Sequence, residues 1–599
     1  HEKFVNLLRA LTVCNGEPMS KNQDTISKLI FEDSATRDLI CYRIELRSNG
    51  RVYVHVVPFN EPVELNTFQT RDLERNQNDT IYNYFISMIY LLADLCLSRN
   101  HIAIDGLKNI YTQEICFRIL SDSDFAVEVR SAFAKLFNHL WLDQTYQRVK
   151  LPNYLITWEE ITPENSKDIF KYSKTTHGFE EFKNFLQQYF QEIADQGYQK
   201  AFEESTNKLT SILLENCELL VGFGFYSTLG EISKLLRPLL SILNGLKDVT
   251  TPDEDEIRKG LKIRGPSFAI RAGFAGVHGG SQKTVSFDSR YQATSETSLL
   301  MEIKLRVLRI VEIIMKFFAD FHLRRFLLGF KEVDEEVPVI KSKKLLHNAG
   351  NNPQNWIEKV YADKQFETEN YSHTSISTIL IDLLLYDSKD LQKLAFQILY
   401  EEHTKRLSMK EMLSLIHIVD DKETVRNIEN IRSMGLRLQM LAEKIEKWYG
   451  KSDQAARKFS EEALEIIRKL ATILKKEKIH SDQRELNTKE GVNPDRRIVG
   501  NTDVDEIFDF GTCRHPEYQK IMRYLNIYQG VLDILTDDFR GRSESEEQQV
   551  DDYKKQILKA CVTFLARFVS DDKDNQEIVA SHIPTLNKML KKDSSLGIE

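Results

Sequence analysis

The chain alternates between stretches whose apolar residues recur every three or four positions and stretches with no such rhythm. The first kind predicts amphipathic helices with one buried face. Phe4 to Leu11 is a short helix of this type, and Cys14-Asn15-Gly16 ends it because Asn and Gly tolerate positive φ. Asn22-Gln23-x-x-Ile26-x-x-Leu29 starts the next helix, and a similar start returns at Asn575-Gln576-x-x-Val579. Ile115 to Leu120 is followed by Val127, Arg130, Phe133, Leu136, Phe137 and Leu140. These predict two further helices, with Ser121 or Asp122 as N-cap of the second. Phe179 to Phe202 reads as a long helix, Asn207 to Asn244 as the next helical element, and Leu299 to Phe330 as a helical pair. Ile376 to Trp448 reads as an uninterrupted helical set. Tyr518 to Leu535, Tyr553 to Phe568 and Asn575 to Leu590 complete a terminal unit. Arg51 to Val57 alternates with the period of a strand.

Between these lie polar or Pro- and Gly-containing stretches: Phe59 to Asn78, Leu151 to Thr176, Gly260 to Ser295, Lys341 to Tyr371 and Ser481 to His515. The expected fold is all-α, an armadillo-like helical solenoid in several blocks joined by flexible linkers. The divisions are a helical domain at 1–246, a Gly/Ser-containing linker at 247–298, and a helical segment with an acidic end at 299–340. A linker follows at 341–371, then a central helical domain at 372–480, a linker at 481–515, and an armadillo-like unit at 516–599.

Composition narrows the picture little. A chain of 599 residues exceeds one compact core, so several domains are expected. The net charge of −9 gives no support to nucleic-acid binding, which wants a basic face. The 7 cysteines include no C-x-x-C pair, which points to reduced thiols without a disulfide framework or structural zinc. Because it opens on His1, the chain reads as a piece of a longer protein. No apolar run approaches the roughly 18–20 residues of a membrane helix: Tyr84 to Leu97 is interrupted by Ser87 and Asp94, and Ile379 to Leu385 contains Asp382. No pore is expected within it.

Candidate chemistry is sparse. Gly273, Gly276, Gly279 and Gly280 precede Lys283-Thr284, but Gln282 stands where a phosphate loop needs Gly, and no strand leads in. No H-E-x-x-H, G-x-S-x-G or kinase signature is present, and Cys513-x-His515 has no companion ligands. No enzymatic activity and no covalently bound cofactor are expected. Phe223-Gly224-Phe225-Tyr226 reads as core anchors at a helix turn, with Gly224 allowing the bend. The one constellation with metal potential is acidic: Glu332, Asp334, Glu335 and Glu336, ended by Pro338. On a helix, Glu332 shares a face with Glu335 or Glu336 and the pair could offer oxygens to calcium. Calcium wants six to eight oxygens, so further ligands must come from elsewhere.

Cys96-Leu97-x-Arg99-x-x-x-Ala103-Ile104, Ser121-Asp122, Arg130, Phe133, Leu136 and His139 resemble the homology domain (RIH) shared by inositol trisphosphate receptors and ryanodine receptors. Ser98 stands where that family usually has an acid. Asn207-Lys208-Leu209-Thr210, Phe223 to Tyr226, Lys304 to Lys331, Asp382 to Asp387 and Ile431 to Trp448 extend the resemblance along most of the chain, and the last stretch favours the inositol trisphosphate receptor. The resemblance implies an RIH-type domain at 1–246 and a cytoplasmic regulatory fragment of a calcium-release channel on the endoplasmic reticulum or a related store. It also implies a homotetramer, contacts with other channel domains, regulatory proteins on the solenoid surface, and membrane attachment only through parts outside this chain. A glutamate pair at i, i+3 in that family contributes to a cytosolic calcium site. Ungapped alignment places Val333 and Glu336 there, a one-residue shift places Glu332 and Glu335, and Gln144 stands at the family's third contact, an arginine. A ryanodine receptor-like piece and a free-standing armadillo-type scaffold are the rival readings.

Overall fold

A computed structural model describes residues 2–56, 61–68, 81–144, 153–162, 179–196, 199–226, 228–250, 252, 290–336, 357–358, 360–361, 371, 374–449, 454–475, 515–537, 552–584 and 586. The fold is helical, in several blocks with minor open sheets. The chain divides into two compact units: His1–Asn153 with Glu160–Leu415, and Tyr154–Glu159 with Ile416–Glu599. The stretch 372–480 is thus shared between them.

In the first unit one apolar core runs from Val5 to Ile398. The helix Ile81–Cys96 lies at its centre, with Phe85, Met88, Ile89, Leu91 and Leu92 fully buried. With the 3-10 turn after it, the stretch Ile81–Arg99 is 19 residues long and contains an 18-residue window of mean hydropathy 1.4, long and apolar enough to cross a membrane. The expectation that Ser87 and Asp94 would break this run is corrected. Both are buried, Asp94 because Arg9 and Lys135 neutralise it at 2.8 and 2.6 Å.

Leu299 to Phe330, read as a helical pair, is part of one helix of 42 residues, Ser295–Glu336. No Pro lies within it, and its first Gly comes at 329, so nothing in the sequence turns the chain earlier. This helix packs on Glu204–Gly222, Leu229–Leu243 and Lys389–Leu415. The long helix expected from Phe179 is Glu180–Gln196.

Gly224 does allow the bend between two helices. It takes φ +78, and the amides of Gly224 and Phe225 bond to the carbonyls of Val221 and Leu220. Phe223 and Phe225 are buried, and Phe225 meets Phe179 edge-on at 5.3 Å.

Two local expectations fail. The helix Val127–Phe137 is preceded by Ala126, without a side-chain cap. Asp122 instead accepts from the Asp124 amide, and the Ser121 hydroxyl turns back to the Phe117 carbonyl, which takes both out of the capping position. The strand expected at Arg51 to Val57 is Val52–Val54, and it is not isolated: it pairs antiparallel with Ile44–Leu46 and Val63–Glu64. Val63, Leu65 and Phe68, within the stretch read as polar loop, are core residues.

The second unit has its own core, from Leu155 and Val419 to Val579. Leu155–Thr157 pairs parallel with His417–Val419. Helices follow at Lys422–Glu443, Ile445–Trp448, Gln454–Ile473, Pro516–Tyr524, Ile527–Asp537, Asp552–Val569 and Lys573–Ala580. Pro516 opens its helix at the first turn, where its missing N–H costs nothing. Trp448 is fully buried and donates to the Leu441 carbonyl at 2.9 Å.

Candidate functional site

The acidic residues singled out in the sequence sit on the last two turns of the helix Ser295–Glu336, which carries Glu332, Glu335 and Glu336 on continuous helical backbone. Their side chains lie outside the described residues, as do Cys513 and the Gly-containing stretch before Lys283. Among the described residues no group of three His, Cys, Asp or Glu side chains is arranged to hold a metal ion. Gln144 donates its side-chain amide to the Trp141 carbonyl at 3.1 Å, a local helix-end bond.

The polar chemistry of the first unit is concentrated elsewhere, in a buried ion network. Lys304 Nζ lies 2.9 Å from Asp248 Oδ1, both side chains 1% exposed. It also donates to the carbonyls of Ile242 and Leu243, the open end of the helix Leu229–Leu243. Tyr386 donates to Asp248 Oδ2 at 2.7 Å, and its ring lies 5.7 Å below the ammonium. Tyr291 donates to Asp382 Oδ1 at 2.6 Å, and Arg290 reaches the same oxygen at 3.2 Å. The Tyr291 and Tyr386 rings meet edge-on at 5.2 Å. Gly245 closes the packing, since a Cβ there would overlap the Tyr386 hydroxyl and the Asp382 carboxylate. Burial pushes the Asp248 carboxyl up from its ordinary range while Lys304 and Tyr386 pull against it. Burial and the facing Asp248 push the Tyr386 phenol up. Two cations face two carboxylates, so the network is neutral and recruits no counter-ion. Its chemistry is that of a joint, tying 242–248, 290–304 and 382–387 together.

Sequence reasoning missed this joint. The one available signal was Lys304 itself, which shares the apolar face of its helix with Leu308 and Val311. Its partners are 56 and more residues away along the chain and are visible only in three dimensions.

Two Asn-Gln pairs, noticed in the sequence as helix starts, have a further use. Asn22 Nδ2 donates to the Leu11 carbonyl at 2.8 Å, and Gln23 Nε2 to the Asp94 carbonyl at 2.8 Å. Asn575 Nδ2 donates to the Phe568 carbonyl at 2.7 Å and Gln576 Nε2 to that of Val569 at 3.0 Å. Both pairs satisfy carbonyls left open at helix C-termini. In the second unit Gln519 adds three more bonds of this kind, to Arg567, Phe568 and Ser570, and Arg523 binds Asp572 at 2.8 Å.

His139, one of the residues that carried the resemblance, lies on the π-turn Asn138–Leu142 and is buried. Its Nδ1 has no hydrogen-bond partner among the described residues. Burial lowers its pKa from the usual histidine value, against the pull of Glu215.

The second unit also carries an open groove of about 1000 Å³ between the helices Lys422–Glu443 and Gln454–Ile473. No motif in the sequence marks it.

The structural brackets around Gln519 and Asn575 fall in a stretch that matches a known domain family. That stretch overlaps the armadillo-like unit expected at 516–599, not residues 1–246, where the resemblance implies the RIH-type domain. Residues 502–598 match the RIH domain, so the chain carries, over these 97 residues, a domain of the family shared by inositol trisphosphate and ryanodine receptors.

Proposed function

We propose that this chain is a cytoplasmic regulatory fragment of an intracellular calcium-release channel of the inositol trisphosphate receptor type. The observation that carries this reading is the RIH match at 502–598. The resemblance of 96–139 and 431–448 to the same receptors supports it. In this reading the helical blocks stack as an armadillo-like solenoid and transmit a coupling free energy by shifting relative position. The fragment has no catalytic role, works in a homotetramer on the cytosolic face of a calcium store, and meets the membrane through other parts of its parent. Calcium binding at Glu332, Glu335 and Glu336 belongs to the same proposal.

Silencing the gene in its source cell and photo-releasing inositol trisphosphate tests the channel assignment. Loss of store calcium release is expected, and unchanged release overturns it. Since the RIH match is common to both receptor families, a ryanodine receptor-like parent is the second reading, and loss of caffeine-triggered release alone would select it. Calcium titration calorimetry on the chain and on E332Q/E335Q/E336Q tests the ion site separately: saturable binding lost in the variant is expected.

A further inference from the structure

The helix Lys389–Leu415, 27 residues long, has two patterned faces. On the inner one Leu391, Ala395 and Ile398 recur at steps of four and three, Met409 and Met412 keep the register, and all five are buried. That is the rhythm by which one helix seats on another. Half a turn round, a second set keeps the same rhythm without a break: Lys389, Lys393, Phe396, Tyr400, His403, Leu407 and Lys410, all exposed. Phe396, Tyr400 and Leu407 are 62, 59 and 55% exposed. Large apolar side chains at a surface are ordinarily scattered singly. Here three share one line about 16 Å long at the helical rise. The helix Ile376–Leu383 runs beside it: the Ser377 hydroxyl lies 3.4 Å from His403 Nε2, and one turn on, Ile381 is also exposed. The other flank is polar, with Gln397 bonded to Glu401 at 3.0 Å.

The ends of this outer seam are positive. Lys389 and Lys393 stand at one end and Lys410 at the other, and none of their side chains has an ion pair or hydrogen bond among the described residues. The neighbouring cations are held, Lys405 by Glu402 at 3.0 Å and Arg406 by Glu358 at 3.1 Å. Lys389 and Lys393 also lie in the first two turns, at the positive end of the helix dipole, where a cation is least favoured. Asp390 is about a quarter turn off the seam. Glu411 borders the seam beside Lys410, so the end with Lys389 and Lys393 is the more positive.

We infer that this face docks one amphipathic helix of a partner protein, with apolar residues at steps of four and three and carboxylates on the same seam toward its ends. The apolar residues would cover Phe396, Tyr400 and Leu407, and the carboxylates would neutralise the three lysines. A second copy of the chain is a poor occupant. An antiparallel pair with Phe396 opposite Leu407 brings Lys393 against Lys410, and a parallel pair sets every lysine against its counterpart. An anionic membrane also fits less well, because a helix lying in an interface needs a broad apolar face and one flank here is polar.

The test is fluorescence anisotropy of the 599-residue chain with labelled helical peptides of about 25 residues, enough to span Lys389 to Lys410. The first peptide has Leu at its central seam positions and Glu at the seam positions toward both ends. The second has Lys in place of those Glu residues, and the third has the composition of the first with its Leu residues moved off the seam. The Glu-ended peptide is expected to bind about tenfold tighter than either of the others. F396S/L407S is expected to abolish its binding, and K389E/K393E to remove the preference for Glu over Lys. These side chains are exposed, so unchanged urea midpoints are expected to show intact folds. Equal affinity for the Glu-ended and Lys-ended peptides, no binding of the Glu-ended peptide at about 200 µM, or full binding in F396S/L407S overturns the inference. Binding to phosphatidylserine vesicles that F396S/L407S loses would assign the face to a membrane, and a dimer in sedimentation that F396S/L407S dissolves would assign it to a second copy. Either result overturns it as well.

Discussion

The two units join their helices by different chemistry. In the first, the main joints centre on buried carboxylates, Asp248 with Lys304 and Asp94 between the part-exposed Arg9 and Lys135, beside the amide bonds of Asn22 and Gln23. In the second, the main joints are neutral amides on carbonyls. Gln519, Asn575 and Gln576 close the end of the helix Asp552–Val569, and Arg523 with Asp572 adds an ion pair that is itself largely buried. The difference matters when one partner is lost. A buried charge left alone keeps its full desolvation cost. An abandoned carbonyl costs less and can often find water. The buried-carboxylate joints that dominate the first unit therefore fail abruptly, and the amide joints that dominate the second fail by degrees.

Four measurements would break or sharpen this contrast. Lys304→Met should have the largest effect, about 3–5 kcal/mol of unfolding free energy, because Asp248 is left uncompensated in the core. K304M/D248N should recover much of that loss. If urea unfolding shows K304M costing no more than Gln519→Leu below, the distinction between the units fails. Gly245→Ala should come next, at about 1–3 kcal/mol, since its methyl group displaces Tyr386 and Asp382. Hydrogen exchange should show the loss spreading from 242–248 to 382–387. Gln519→Leu should cost about 1–3 kcal/mol by stranding the carbonyls at 567, 568 and 570. Near-normal exchange protection at the end of Asp552–Val569 in that variant would mean the bracket is redundant.

The smallest effect is a pH dependence. His139 is held below its usual pKa, with Glu215, Lys135, Asp94 and Asp143 around it. The unfolded chain therefore takes up a proton more readily than the folded one, and stability should fall as pH drops below about 6.5. His139→Gln should lose less stability than the parent between pH 7 and pH 5 in urea titrations. Equal losses would show that His139 contributes nothing to the acid limb.

Much of the fold was legible because helices write a 3.6-residue period into the sequence, and it was clear from Val127 to Leu140; from Ile376 to Trp448, read as uninterrupted helices, the strand His417–Val419 breaks the series where the two units divide. The errors fell where that period is silent. It cannot say whether a long periodic run turns back on itself, so Ser295–Glu336 looked like two helices. It cannot tell a cap from a helix-end turn, so Ser121 and Asp122 were misread. Short strands such as Val63–Glu64 are below its reach, because two residues carry no pattern.

The candidate sites were far less legible. The Asn-Gln pairs were noticed, but as helix starts; Gln23 reaches carbonyls 71 and 74 residues away, and the other three reach back over a helix end only 7 to 11 residues behind them. The ion network left one trace, a lysine on an apolar face, and the groove left none.

The sequence by itself determined the helical class, most helix positions and the bend at Gly224. Each of these rests on neighbours within a few turns of chain. The tertiary structure alone decided which buried charges pair, where the two compact units divide, and that two helices 11 residues apart in sequence open a groove. Those outcomes depend on the closeness of residues far apart along the chain, and periodicity carries no information about that distance.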